Sequence, residues 1–452
     1  MLFKEYRLLL LGVSLILFSC NHSSPKKALR ENNPDVIHLL NDKLSETVLF
    51  DGFSPPVISR IMAYTSVAAY EAAIESDTNF ISYKNQLNGF SGVAAFNGKQ
   101  KYIPEVALVR AFCRSGVYFT YRDYMLDTIE YELLDDLRRK YDKEDVLASV
   151  AYGDSIAAAV IAWASKDGYA ETRKMPYYVL KKKDWSWELT PSQFMEAVEP
   201  FWGLVRPFVM DSSSRFRPSG PPAFSTDKNS VFYKEAIKVY EAKGKLMMDD
   251  TSSANFWDCN PFVLKREGHV SVFKRQISPG AHWMGIAQTA CKLRQYGLKE
   301  SCELYSQTAI VLADAFISCW ECKYQYDLLR PVTYINRYID PKWKPLLETP
   351  PFPEYTSGHS VISSATAVVL EGYLGNKFSY TDSVEIPFGK APRSFSSFKQ
   401  AAQEAALSRL YGGIHYMFAI EDGQKQGEQI GNFQLQKVKT SKKKLLVVNT
   451  SI

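Results

Sequence analysis

The sequence predicts an all-α protein with its functional site at the ends of helices. Apolar residues recur at helical spacing along most of the chain from Asp35 onward, and residues typical of helix starts and ends bracket these segments. No internal repeat or alternating strand pattern stands out. The chain has 452 residues, 46% of them hydrophobic, which is enough for one large or two moderate cores. We therefore expect helical bundles.

The N-terminal half, residues 35–227, is predicted to contain helices followed by a long loop. Ser54 precedes two prolines, a pattern typical of a helix start because proline is tolerated in the first turn. Residues 170–227 instead combine tryptophans with many prolines and show little periodicity. We interpret them as an ordered loop that wraps the body or forms part of an active-site rim. The helices predicted in this half span 54–74, 104–121, 124–142 and 145–167.

The C-terminal half, residues 228–437, is predicted to be helical and to carry the chemistry. Its periodic segments are separated by proline, glycine and polar residues. The helices predicted here span 230–243, 250–258, 280–296, 300–322, a segment from the cap at 356 or 357 to about 371, and 420–436.

One stretch in this half, 350–360, reads Pro-Pro-Phe-Pro-Glu-Tyr-Thr-Ser-Gly-His-Ser. Thr356 or Ser357 is predicted to cap the helix that follows. The first turn of a helix has unpaired backbone N–H groups and favours negative charge, which predicts an oxyanion site. Gly358 would let a ligand approach the backbone, Ser357 adds a hydroxyl group, and His359 can exchange protons near neutral pH.

Two cationic residues precede this stretch. Lys323 and Arg330 are seven residues apart, so on one helix their side chains leave the same face. Pro331 is predicted to end or kink that helix directly after Arg330.

A third motif follows downstream. Arg409 and His415 are six residues apart, and on an unbroken helix they would point in different directions. Gly412 and Gly413 supply a break that would let both face one point. Three cations, a hydroxyl group, a glycine amide and two histidines would then surround a tetrahedral or trigonal-bipyramidal oxyanion with several negative charges.

The three motifs together resemble the signature of the type 2 phosphatidic acid phosphatase and vanadium haloperoxidase superfamily. That signature reads Lys, six residues, Arg-Pro; then Pro-Ser-Gly-His; then Ser-Arg, five residues, His, and Thr356 stands where proline is usual. The resemblance implies that His415 bonds the central atom, either as axial ligand of vanadium or as the nucleophile that forms a phosphohistidine. It implies that His359 is the acid–base partner. The residues that would bind the oxygens are Lys323, Arg330, Ser357, Gly358 and Arg409.

The resemblance also suggests roles for residues around this site. Trp320 and Phe352 match aromatic positions that line the halide pocket of chloroperoxidase-type enzymes, although either is equally compatible with a core position. Asp258 resembles an aspartate that pairs with the motif arginine, and an exposed helix-end acid is the alternative. For His282 we favour a core histidine over a supporting residue of the site.

In this family the expected activity is that of a vanadate-dependent haloperoxidase, with hydrogen peroxide and a halide as substrates. Phosphate would compete for the vanadate site. Ala419 and Met417 stand where many relatives have Asp and Arg, which argues against efficient phosphoryl transfer. The alternatives are a soluble phosphomonoesterase of the acid-phosphatase type and a non-catalytic phosphate-binding lipoprotein. The sequence makes no prediction about the oligomeric state.

The N-terminus predicts export. Residues 1–20 begin with two basic residues and an apolar run too short to span a bilayer, which is typical of a signal peptide. Their end, Leu-Phe-Ser-Cys, resembles a bacterial lipobox with Cys20 as the lipidated residue. Residues 21–34 would be a flexible tether. Asn21 after the cysteine favours the outer membrane, so we expect an exported lipoprotein held to the membrane by lipid alone.

Charge and cysteine content add two further expectations. The formal net charge is +5, and five lysines between 437 and 444 account for all of it, so 438–452 is a basic tail on a near-neutral body. No motif for nucleic-acid binding is present, and we expect none. Six cysteines besides Cys20 could form disulfides after export. Cys319 and Cys322 are interpreted as helix cysteines that could each pair elsewhere.

Overall fold

A computed structural model describes residues 33–260, 264–267, 270–273, 276–442 and 445–446. Within them the chain is mostly helical, which confirms the predicted fold class. The signal peptide, Cys20, most of the tether and the end of the basic tail lie outside the described residues. The helices are α1 (Asp35–Asp51), α2 (Pro55–Ile74), α3 (Pro104–Phe119), α4 (Asp123–Arg138), α5 (Lys143–Ala164), α6 (Tyr169–Thr172), α7 (Val231–Gly244), α8 (Met248–Phe256), α9 (Pro279–Arg294), α10 (Leu298–Tyr326), α11 (Pro331–Tyr338), α12 (Gly358–Leu374), α13 (Phe398–Tyr411) and α14 (Met417–Lys437).

Two short antiparallel hairpins correct the expectation that strands are absent. Strand β1 (Leu264–Glu267) pairs with β2 (Val270–Phe273), and β3 (Tyr380–Asp382) pairs with β4 (Arg393–Phe395). Strands of three or four residues are too short to show an alternating pattern in the sequence. The second hairpin places Asp382 and the residues after it beside α9.

One hydrophobic core joins the two predicted halves of the chain. Helix α2 is buried along its whole length and packs on α10, whose residues are also nearly all buried. The cluster of buried side chains extends from Val36 to Val438. A second cluster, which includes Phe232, Tyr334 and Tyr416, joins α7, α11 and the start of α14. The connection between α10 and α11 therefore lies where the two clusters meet.

The long loop before α7 is held in place by hydrogen bonds to α10. The buried Asp314 carboxylate accepts bonds from the backbone N–H groups of three loop residues, 208–210, at 2.6 to 3.0 Å. The carbonyl oxygen of Val198 accepts bonds from Trp320 Nε1 and the Tyr324 hydroxyl, and its N–H donates to the Pro351 carbonyl. The loop thus wraps the body and also forms part of the rim around residues 350–360, as the sequence predicts.

The six described cysteines are free thiols. Cys319 and Cys322 lie on α10 as predicted, and both are buried without a disulfide partner. The other described cysteines, also buried and unpaired, are Cys113, Cys259, Cys291 and Cys302.

Among the described residues one helix, α5, is long and apolar enough to cross a membrane. Of its most apolar window, 44% is buried inside the protein, where α5 packs against α3 and α2. Core helices commonly meet the same criteria of length and composition, so α5 is weak evidence for a membrane span.

The close packing of α12 on α14 depends on glycines spaced four residues apart in α14. A Cβ atom added at Gly427 would lie 2.2 Å from the Val361 carbonyl oxygen, and one added at Gly431 would lie 2.7 Å from the Ala365 oxygen. Both positions face the backbone of α12, which cannot shift without moving the helix. The glycines therefore set the distance between the two helices that carry the site.

We expect Gly427→Ala to lower the free energy of unfolding by about 1–3 kcal/mol, because the methyl group overpacks this contact and the strain exceeds the gain in helix propensity. Urea unfolding followed by circular dichroism measures the change. Gly244→Ala is the matched control, since an added Cβ there meets nothing within 4 Å. Equal stability of the two variants would contradict the packing argument.

Candidate active site

The first two cations of the site lie on either side of a break between helices. Helix α10 ends at Tyr326, and Asp327 adopts the left-handed conformation with φ 50°. Arg330 is the N-cap residue of α11, and Pro331 is its first residue. The expectation that Lys323 and Arg330 share one helix is therefore wrong, because the helix ends earlier and Pro331 begins the next helix instead of ending this one.

Lys323 is fully buried, and its ammonium group donates to three backbone carbonyls. The acceptors belong to Pro353, Glu354 and Thr356, at 3.2, 3.1 and 2.6 Å. Burial lowers the pKa of Lys323 to about 8. All three N–H groups have partners, so a direct contact with an oxyanion requires the ammonium to exchange one of them. In this arrangement Lys323 fixes the segment that leads into α12.

Helix α12 begins where the sequence predicts. Ser357 is its N-cap residue, and its buried hydroxyl has no hydrogen-bond partner among the described residues. Gly358 lines a small cavity, and an added Cβ would meet nothing closer than Trp320 at 3.9 Å. Packing therefore does not require glycine here, and the missing side chain leaves space in the cavity.

His359, in the first turn of α12, is held through one ring nitrogen. The ring makes a hydrogen bond to the backbone of Trp257, while Nε2 has no partner within the part of the chain described. Burial, and next the charge of Arg409, hold its pKa well below the usual value for histidine. His359 is therefore a neutral imidazole with Nε2 free to accept a proton.

The break between α13 and α14 brings Arg409 and His415 to the same cavity. Helix α13 ends at Tyr411, and Gly413 adopts a φ of 74°, a conformation that favours glycine. Arg409 is buried and donates to the Ala254 carbonyl at 3.1 Å. Both Arg409 and His415 line the cavity. The glycine pair thus supplies the turn that the sequence predicts.

His415 lies between a carboxylate and a guanidinium group. Its Nδ1 is 2.7 Å from Oε1 of Glu354, and its Nε2 is 3.2 Å from Nη1 of Arg330. Because a carboxylate accepts and a guanidinium donates, Nδ1 carries the hydrogen and Nε2 carries the lone pair. Burial and the charge of Arg330 lower the pKa of His415 well below its usual value. Nε2 therefore carries the lone pair that can bond an electrophilic centre when Arg330 Nη1 exchanges this contact.

Sequence reasoning did not single out Glu354. It is fully buried, and it also accepts a hydrogen bond from the N–H of Tyr416 at 3.0 Å. Burial raises its pKa to about 7, while the charges of Arg330 and Lys323 act in the opposite direction. The sequence does carry one signal for this role of Glu354. It is an acidic residue inside a proline-rich run, next to a predicted cationic pocket.

The two aromatic residues proposed for the halide pocket lie beside the cations. The rings of Trp320 and Phe352 are 4.9 Å apart, and both line the cavity. Lys323 Nζ lies 5.1 Å and the Arg330 guanidinium carbon 5.0 Å from the centre of the Phe352 ring. The two aromatic rings thus form an apolar wall of the cavity. Arg409 lines the cavity itself, whereas Lys323 and Arg330 contact Phe352 and are not among the lining residues.

Asp258 lines the same cavity. Its carboxylate accepts a hydrogen bond from Gln276 at 3.2 Å. Burial lowers the pKa of Arg409, and the negative charge of Asp258 partly offsets that decrease. His282 is fully buried, and its Nε2 lies 2.7 Å from Oδ2 of Asp382. It is a core residue, as we favoured, and it belongs to a polar cluster.

Comparisons with known proteins agree with this geometry. The family model of the VCPO second helical-bundle domain matches residues 303–443. The structure described as the first bacterial vanadium-dependent iodoperoxidase is 39% identical, covers 94% of this chain and 100% of its own, and superimposes with a TM-score of 0.87. A holo-type bacterial vanadium-dependent chloroperoxidase, 15% identical, covers 91% of this chain and 98% of its own with a TM-score of 0.66, which shows a shared fold. No curated protein matches. The chain belongs to the vanadium haloperoxidase family.

Proposed function

We propose that this protein is a vanadate-dependent haloperoxidase that uses hydrogen peroxide to oxidise a halide, with iodide as the first halide to test. The observation that carries the proposal is a set of buried polar atoms without partners among the described residues. They are Nη2 of Arg330, Oγ of Ser357 and Nε2 of His359. A buried polar group without a partner is costly unless a ligand or water satisfies it, and these three atoms belong to residues of the oxyanion motifs. The choice of iodide rests on the 39% identical iodoperoxidase.

The charges of the site fit an oxyanion such as vanadate. Lys323, Arg330 and Arg409 are buried side chains whose pKa values are lowered because burial penalises the cation. An anion bound between them would offset the cost of burying their positive charges. Arginine suits such a ligand because its guanidinium group can donate two parallel hydrogen bonds. Phosphate has the same shape and should compete. The residues present therefore fit the group that the family uses.

Bound vanadate supplies Lewis-acid activation of peroxide. The chain's own residues hold the reactants and move protons. Nε2 of His415 presents its lone pair because Glu354 fixes the hydrogen on Nδ1. Nε2 of His359 can take the proton of the incoming peroxide, since the ring is neutral and its other nitrogen is hydrogen-bonded to the backbone of Trp257. Trp320 and Phe352 offer a large, polarisable halide a partly dehydrated position beside the cations.

Phosphatase activity is the alternative that uses the same atoms. His415 would then be the nucleophile and His359 the acid for the leaving group. Ala419 stands where many relatives have an aspartate. This difference is weaker evidence against phosphatase activity than the sequence suggests, because Glu354 already orients His415. Turnover assays separate the two activities.

We also propose that the chain is exported and anchored by lipid on Cys20, on the strength of the lipobox-like sequence. In a bacterial host that processes lipoproteins, the wild-type chain should incorporate radiolabelled palmitate and Cys20→Ala should not. Cys113→Ser, which leaves Cys20 intact, is the control. Unchanged labelling of Cys20→Ala would contradict the anchor.

His415→Ala is expected to abolish vanadate binding and to lower iodide oxidation at least about 100-fold, because the atom that bonds the central atom is lost. Equilibrium dialysis with vanadate and a peroxide-dependent iodide assay measure the two effects. His38→Ala, which removes a buried histidine of α1 that contacts Tyr305, is the control and should keep its activity. Circular dichroism checks that both variants fold.

The same assays decide between the candidate functions. Hydrolysis of a phosphate ester without any halide oxidation would overturn the peroxidase proposal in favour of the phosphatase. Vanadate or phosphate binding without turnover of either kind would favour the non-catalytic lipoprotein.

Glu354→Gln should weaken vanadate binding about 10- to 100-fold, the usual effect of removing the partner that orients a metal-binding histidine. The carboxylate accepts the Nδ1 hydrogen only when ionised, so binding to the wild type should fall as pH decreases through about 7. The ratio of wild-type to variant affinity should therefore shrink on acidification. Measuring both proteins at each pH cancels changes in vanadate itself.

Glu348→Gln is the matched control for this experiment, because Glu348 also lines the cavity but accepts hydrogen bonds from Ser192. It should keep wild-type affinity. An affinity ratio between wild type and Glu354→Gln that does not change with pH would contradict the assigned role of Glu354.

A further inference from the structure

A second cluster of ligand-type side chains adjoins the cavity, which one of its members, Cys259, also lines. Cys259 follows α8, His282 lies in the first turns of α9, and Glu385 follows β3. All three side chains are buried, with at most 2% of each residue exposed. Three separate parts of the chain thus bring a thiol, an imidazole and a carboxylate together, and the oxyanion site uses none of them.

The distances within this cluster are those of a coordination shell. His282 Nδ1 lies 3.2 Å from Glu385 Oε1, and Cys259 Sγ lies 3.6 Å from each of these two atoms. Around a tetrahedral zinc ion, with bonds of about 2.0–2.1 Å to nitrogen or oxygen and about 2.3 Å to sulfur, the corresponding separations are about 3.3 Å and about 3.5–3.6 Å. The triangle of donor atoms therefore has the size of one face of such a tetrahedron.

Neighbouring groups hold two of the three donor side chains in place. His282 Nε2 is 2.7 Å from Oδ2 of the buried Asp382, an arrangement that fixes the ring of a metal-binding histidine. Lys390 Nζ lies 3.0 Å from Oε2 of Glu385, which leaves Oε1 to face the thiol and the imidazole. These contacts fix the imidazole ring of His282 and the carboxylate of Glu385.

Charge balance is compatible with a divalent cation. A thiolate at Cys259 and carboxylates at Asp382 and Glu385 carry three negative charges, and Lys390 carries one positive charge. A divalent ion bound to them, with neutral His282, makes the cluster neutral. Neutrality matters here because an uncompensated buried charge is costly.

We propose that Cys259, His282 and Glu385 bind one divalent cation of the zinc class, with water as the fourth ligand. A sulfur, a nitrogen and an oxygen donor suit zinc, and three protein ligands with one open position are typical of open zinc sites. The ion would fix the segment that carries Trp257 and Asp258. That segment holds the ring of His359 and faces Arg409, so the metal would rigidify one wall of the oxyanion site without taking part in its chemistry.

The test uses the full-length chain without an affinity tag, stripped with a chelator and then titrated with zinc. We expect one zinc ion per chain by mass spectrometric metal analysis after dialysis. The cobalt-substituted wild type should show a sulfur-to-cobalt charge-transfer band, and X-ray absorption should show one sulfur ligand. Sub-stoichiometric zinc, or a coordination shell without sulfur, would overturn the proposal, and neither result depends on a variant that must fold.

Variants then locate the site. Cys259→Ser and Glu385→Gln should each weaken zinc binding at least 100-fold, whereas Cys113→Ser, which alters a buried cysteine of α3, should bind like the wild type. His415→Ala should also bind zinc normally, since the oxyanion site is separate. Equal zinc affinity of Cys259→Ser and the wild type would overturn the assignment, whatever the enzymatic activity proves to be.

Discussion

The site depends on placing positive charge where water is excluded. Lys323, Arg330 and Arg409 are buried around the imidazole of His415, and Glu354 is the buried acid that contacts this group directly. Moving an ion out of water costs several kcal/mol even after relaxation. The rest of the protein must supply that free energy, and it does so through a core that extends from α1 to the end of α14. As a result, the buried cations favour the binding of an anion at the site.

Backbone carbonyls compensate part of this cost. The carbonyl oxygens of residues 353, 354 and 356 accept hydrogen bonds from the ammonium group of Lys323. The carbonyl oxygens of Phe352 and Ile414 accept hydrogen bonds from the guanidinium group of Arg330. Carbonyls are dipoles without net charge, so they stabilise the cations without neutralising them. This distinguishes the site from an ion pair, in which the positive field would be cancelled. The proline-rich run before α12 is suited to this task because its stiffness holds the carbonyls in place.

The sequence predicts those parts of the molecule that depend on local patterns. Helix α12 begins directly after Ser357, although the Ser357 hydroxyl makes no capping hydrogen bond, and the Gly412–Gly413 pair breaks the chain between α13 and α14. The sequence does not predict the structure where one local pattern is compatible with two arrangements of the chain. Pro331 can end one helix or begin the next, and the structure uses the second option. Glu354 could not be assigned, because its partner is 61 residues away and only the fold brings the two together. The contact of His282 with Asp382, 100 residues away, escapes sequence analysis for the same reason. The hairpins escape it because strands of three or four residues show no alternating pattern.

The contact between Glu354 and His415 also bears on which reaction the pocket supports. In a phosphatase the histidine must attack and later leave, whereas in a haloperoxidase it only has to hold the central atom. A carboxylate hydrogen-bonded to Nδ1 increases the electron density on Nε2 and strengthens the bond in both cases. A stronger bond favours retention of the ligand and slows the breakdown of a covalent phosphohistidine. The fully buried position of Glu354, which keeps water from weakening this hydrogen bond, therefore suits retention of an oxyanion better than its repeated transfer.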